Sequence, residues 1–124
     1  MPRPALDPAV LERLRQLTPP GEPDVLKEVL QLFLDDVPGR IGRLRAACQA
    51  GDAAEVHRAA HSLKGSSGNI GAIQLLEVCR QLDNQGRAGD LSETPALVAS
   101  LEIEYARVAA EIRELIKQDR RSGG

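Results

Sequence analysis

"DVLKEVLQLFLDDVPGRIGRLRAACQAG", residues 24–51, decides the fold. Leu26, Leu30, Phe33, Val37, Ile41, Leu44 and Cys48 recur by threes and fours, the spacing that lines one face of an α-helix and matches no strand alternation. Asp24 supplies an N-cap oxygen at the start, and Gly51 suits a left-handed C-terminal residue at the end. Pro38-Gly39 interrupts the stripe. Proline removes a backbone donor and crowds the preceding turn, so a kink or break is expected there.

The same punctuation repeats outward from this segment. Asp52, with Glu55 three positions on, resembles a capping box and opens a third helix at about Ala53, whose apolar side is Val56, Ala59, Ala60, Leu63 and Ser67. That helix weakens at Gly68-Asn69, read as its C-cap. A fourth resumes near Ala72 with Leu75, Leu76, Cys79 and Leu82 inward and ends at Gly86 to Gly89. The run Gly89-Asp90-Leu91-Ser92-Glu93-Thr94-Pro95 carries helix-start chemistry, and Leu97, Leu101, Tyr105, Val108, Ile112 and Leu115 mark the last helix. Upstream, Asp7-Pro8 starts a short helix with Val10, Leu11, Leu14 and Leu17 that stops before Thr18-Pro19-Pro20-Gly21. The pattern predicts an all-α protein: an antiparallel four-helix bundle with a short N-terminal capping helix, one domain over residues 1–119 and a disordered tail over 120–124.

Composition narrows the partners. With one Phe, one Tyr and no Trp among 124 residues, the core is aliphatic, which suits close helix packing. A net charge of −2 with interspersed signs gives no basic face for nucleic acid or a membrane surface, so the expected partner is a protein. A monomer is expected. Cys48 and Cys79 sit on apolar stripes and read as reduced core thiols, and no apolar run approaches the ~18 residues of a membrane span or forms a signal segment. A cytoplasmic location is expected.

The weakest helical stretch, "AAHSLKGSSGNIGA" at 59–72, holds the chemistry. At ~100° per residue from Val56, Ala60 and Leu63 stay within ~40° of the core direction, whereas His61 falls near ~140° and Lys64 near ~80°. Gly65 and Gly68, near ~180° and ~120°, leave the histidine's side of the helix bare. Helical glycine costs about 0.5–1 kcal/mol relative to Ala, a cost explained by close approach of another molecule. An outward imidazole beside a bare patch and a cation suits a nucleophile that meets a reactive group held by a second protein. A neutral imidazole can carry a phosphoryl group on one nitrogen while the other keeps its proton.

The run His61-Ser62-Leu63-Lys64-Gly65-Ser66-Ser67-Gly68-Asn69-Ile70-Gly71 resembles the signature of histidine-containing phosphotransfer (HPt) domains, A-H-x-L-K-G-S-x-x-x-x-G. The likeness extends to Phe33-Leu34-Asp35-Asp36-Val37-Pro38, Ala50-Gly51-Asp52 and Cys79-Arg80-Gln81-Leu82, and so across nearly the whole chain. It implies a phosphocarrier of multistep two-component relays, in which His61 takes a phosphoryl group from the aspartate of one receiver domain and passes it to another. Lys64 would assist the phosphate and Gly65 would give the receiver access. Response-regulator receivers or a hybrid histidine kinase would be the partners. No cofactor is expected on this chain, and Mg²⁺ would come with the receiver.

One position departs from the family pattern. Where many members place a Gln to bond the histidine ring, this chain has Asp83, which either orients His61 or forms an ordinary i, i+4 pair with Arg87 worth ~0.2–0.5 kcal/mol. Arg80 and Arg87, on the Asp83 stripe, are candidates to meet an acidic receiver surface, with Gly68 and His57 at its edge; Ser66 and Ser67 are read as packing or capping residues. His57 and His61 have the i, i+4 spacing of metal chelators, but no H-E-x-x-H motif accompanies them and no metal site is expected. Two other classes compete. A sensor autokinase would show H-E-x-x-x-P and a Gly-rich nucleotide motif, both missing here, and a non-catalytic helical adaptor would keep its role without His61.

Overall fold

In a computed structural model, residues 4–122 are described, with side chains through 118. Five helices follow in order, α1 (Pro8–Gln16), α2 (Val25–Ala50), α3 (Ala53–Asn69), α4 (Ile73–Ala88) and α5 (Thr94–Ser122), and no strand occurs among the described residues. Helices α2 to α5 close a ring in which each packs on the next and α5 returns to α2, the tightest pairing being α3 against α4. Connections this short hold consecutive helices antiparallel, giving the expected four-helix bundle.

The caps form largely where the sequence signals them. Asp7, Asp24 and Asp52 accept from the backbone N–H of Ala9, Leu26 and Glu55, and Gly51 and Gly89 close α2 and α4 at φ 67° and 73°. The reciprocal half of the capping box does not form: Asp52 N–H donates to Ala47 O, and the Glu55 carboxylate pairs with Arg58. Helix α3 runs through the expected cap at Gly68-Asn69 to a C-cap at Ile70, with Gly71 taking the left-handed turn at φ 71°.

Two further expectations change. Helix α2 passes through Pro38 without a break. Pro38 and Gly39 lie on its exposed side, so water can satisfy the carbonyl that loses its partner while Val37 and Ile41 stay seated in the core. Helix α5 carries on past residue 119, so the expected tail begins as helical backbone to Ser122; Gly123 and Gly124 lie outside the described residues.

The core is aliphatic, built from Leu30, Val37, Leu44, Val56, Leu63, Leu75, Leu82, Leu101 and Ile112, and the two aromatic rings, Phe33 and Tyr105, stack across α2 and α5 with centroids 6.1 Å apart. Cys79 is buried and Cys48 half-buried, both as free thiols. The segment before α1 adds Ala5 and Leu6 to this core, which their isolated positions in the sequence did not suggest. Glu111 of α5 accepts from both of their N–H groups at 2.8 and 3.0 Å, and Asp7 N–H donates to Gly71 O at 2.8 Å. A Cβ at Gly71 would stand 2.8 Å from Val10, so this glycine lets α1 cap the α3–α4 connection. Among the described residues no helix is long and apolar enough to cross a membrane.

Candidate functional site

Helix α3 presents His61 outward with its side chain 60% exposed, as the wheel predicts. Gly65 and Gly68, also exposed, have open space where a Cβ would project, so the surface beside the imidazole is bare backbone. Leu63 and Ser67 face the core instead; the Ser67 hydroxyl donates to Leu63 O at 2.8 Å and is a packing residue. Ser66 and Ser62 accept from the same Arg40 guanidinium nitrogen, each at 2.9 Å, and Asp36 holds the other end of that guanidinium at 3.2 Å. This clasp ties α2 to the face that carries His61, a tertiary pairing with no signal in the local sequence.

Asp83 of α4 is the electrostatic centre. Its side chain is 1% exposed, and four cationic or ionisable groups surround it. Oδ1 accepts a short hydrogen bond from His57 Nδ1, with Arg87 Nε 3.6 Å away. Oδ2 accepts from Lys64 Nζ at 3.0 Å and lies 3.6 Å from His61 Nδ1. Burial disfavours its charge, but the hydrogen bonds from Lys64 and His57, aided by the ammonium charge and by His61, overcome that and hold the carboxyl at about 2. Asp83 is therefore far more than the surface pair with Arg87 that its spacing allows. Because His61 turns Nδ1 toward Asp83, its Nε2 is the nitrogen left on the open side.

Gly86 makes this cluster possible. Expected at a helix end, it is a buried interior residue of α4, where a Cβ would come within 2.5 Å of the His57 backbone nitrogen. Only a bare α4 backbone can approach α3 this closely, and that contact brings His57 and Asp83 together. His57, read as an exposed neighbour, is instead 35% exposed and turned inward. Lys64, 30% exposed, lies along the helix with its ammonium on Asp83 rather than free in solvent. Arg80 is held by Glu77 on the outer face of α4, at 3.0 Å through Nε. The His57 and His61 rings are 5.9 Å apart, and no group of three or more His, Cys, Asp or Glu residues among those described is arranged to hold a metal ion.

The model of the Hpt domain family matches residues 28–117, which takes in α3, α4 and every residue of the cluster. The chain belongs to the Hpt family. Histidine-containing phosphotransfer proteins 2 and 5 of Arabidopsis thaliana are 29% and 31% identical over 117 and 121 residues, covering 90% of this chain and 75% and 74% of their own lengths. The crystal structure of histidine-containing phosphotransfer protein B (HptB) from Pseudomonas aeruginosa matches with a TM-score of 0.87 at 35% identity, over 94% of this chain and 98% of its own. MtHPt2 from Medicago truncatula matches with a TM-score of 0.83 at 26% identity, over 98% and 84%. This Hpt domain is a phosphocarrier of phosphorelays, a carrier rather than a classical enzyme, and its partners belong to two-component pathways.

Proposed function

We propose that Nε2 of His61 is the phosphoryl acceptor and donor, taking the group from the phospho-aspartate of one receiver domain and passing it to another. The observation that carries this reading is the pairing of an exposed imidazole, Nδ1 turned to a buried carboxylate, with glycines one and two turns on that leave room for a partner. In the transfer, the Nε2 lone pair forms the N–P bond as the P–O bond to the receiver aspartate breaks, and that electron pair leaves with the carboxylate. The Nδ1 proton stays. The phosphorylated ring is then cationic, and Asp83 beside Nδ1–H offsets its charge.

Lys64 is placed to leave Asp83 for the transferring oxygens, and Gly65 and Gly68 give the receiver access. Arg80 and Arg87 on α4 meet its acidic surface. Cation stabilisation beyond Lys64 comes from Mg²⁺ held by the receiver. The domain carries phosphate without ATP chemistry of its own and works as a monomer in the cytoplasm, where its two free thiols stay reduced.

The test is to offer the protein a panel of labelled phospho-receivers, with ATP alone as a control. Label should transfer from a receiver, be acid-labile and base-stable as a phosphoramidate is, and be lost in His61→Gln. Label from ATP alone points to an autokinase, and label on His57 or a serine overturns the assignment. Full signalling by His61→Gln supports the adaptor reading.

A further inference from the structure

We propose that His57 is a positioning residue for the phosphoryl acceptor: its Nδ1–H anchors Oδ1 of Asp83, so that Oδ2 faces Lys64 and His61. The inference rests on the phosphocarrier reading and assigns His57 a role inside the protein instead of at the receiver-docking edge.

The two oxygens of Asp83 divide their partners without overlap. His57 holds Oδ1 by a short hydrogen bond, and Oδ2 takes the ammonium of Lys64 at 3.0 Å with His61 Nδ1 3.6 Å away. The torsion that turns a carboxylate is broad and soft, so one oxygen must be fixed for the other to keep its direction. Lys64 is a poor anchor, being a flexible ammonium that a phosphoryl group on Nε2 of His61 would draw away. Arg87 is a weaker anchor than His57: its guanidinium stays 3.6 Å from Oδ1, and its side chain is long, flexible and 59% exposed, so water screens the pair. His57 has the stiffness the task needs, because its backbone packs directly against Gly86 of α4 and its ring reaches Asp83 directly. Once Lys64 moves to the phosphoryl oxygens, the His57 bond is what keeps Oδ2 beside the Nδ1 proton of His61.

The arrangement bears on the acceptor's tautomer. Free neutral imidazole favours the proton on Nε2, the nitrogen that must be bare to attack phosphorus. A carboxylate oxygen held beside Nδ1 reverses that preference. His57 thus acts on His61 through Asp83, as an outer ligand orients an inner one.

The experiment uses the full chain and three variants, His57→Ala, His57→Leu and His57→Asn. The asparagine amide nitrogen sits where Nδ1 does and can donate to Oδ1, whereas leucine keeps bulk without a donor. Nitrogen-15 shifts of the His61 ring report its tautomer in the unphosphorylated protein, transfer from a phospho-receiver gives the limiting rate and half-saturation, and thermal melts report folding. His57→Ala and His57→Leu should lose the Nδ1–H tautomer and slow the limiting rate by roughly tenfold, at the low end of what an orienting partner contributes, with half-saturation unchanged. His57→Asn should restore both. A wild-type tautomer and rate in His57→Leu, a change confined to half-saturation, or an asparagine variant as poor as the leucine one would each overturn the proposal. Should the wild-type chain take no label, the phosphocarrier reading fails, while the tautomer shifts still decide whether His57 sets Asp83.

Discussion

Replacing Asp83 by Asn keeps the shape of the buried side chain and removes its charge, which isolates what the carboxylate contributes. In the folded protein the carboxyl is held at about 2 against an ordinary 3.8. At 1.36 kcal/mol per pKa unit, the difference is about 2 kcal/mol of stability at neutral pH, and a neutral asparagine forgoes it. Lys64 and His57 are about one-third exposed, so their groups recover some hydration, and the loss stays below the 3–5 kcal/mol of breaking a fully buried pair. In a chain of this size the melting temperature should fall by about 8 °C. Because the folded-state value is depressed, the stabilisation is complete above the unfolded value of 3.8, shrinks as pH falls toward 2 and is lost below that. About half should remain at pH 3, so the gap between wild type and Asp83→Asn should narrow by roughly that factor between pH 7 and pH 3. Equilibrium urea denaturation followed by circular dichroism at the two pH values measures it. A variant as stable as wild type at pH 7, or a gap as wide at pH 3, would refute the reasoning.

Substitutions at three further positions separate access, packing and charge. Gly65→Gln should leave the melting temperature within a few degrees, since nothing stands within 4 Å of a Cβ there, while phosphotransfer collapses; equal loss of both makes Gly65 structural. Gly86→Ala should destabilise by about 3 kcal/mol by forcing α4 off the His57 backbone, whereas Gly65→Ala should stabilise slightly, and thermal melts that fail to separate the two alanines contradict the close-approach argument. Lys64→Ala should slow transfer without abolishing it, by a factor at or below the roughly 10²–10³ that a charge-stabilising donor contributes in a dry site, because this one is open until a receiver docks. An unchanged single-turnover rate removes Lys64 from the mechanism.

The helices, their order and the outward direction of His61 were legible in the sequence, because apolar spacing, cap residues and a helical wheel are local properties that hold whatever the neighbours do. Bare backbone at Gly65 and Gly68 was legible for the same reason. At Pro38 the local reading allowed a kink or a break, and the fold removes the break, since whether a proline breaks a helix depends on which side faces water and on how firmly Val37 and Ile41 are packed. Gly86 misled the local reading: near the end of an apolar stripe a glycine looks like a stop, and only the α3 backbone pressed against it shows an interior contact. The hydrogen-bond partners of Asp83, Lys64 and His57, lie 19 and 26 residues away on another helix, so no spacing rule links them. Sequence periodicity determined which way His61 and the apolar core residues leave their helices. How close α3 and α4 come, and therefore that one buried carboxylate is shared by His57, Lys64 and His61, was decided by tertiary packing, because that distance depends on both surfaces at once.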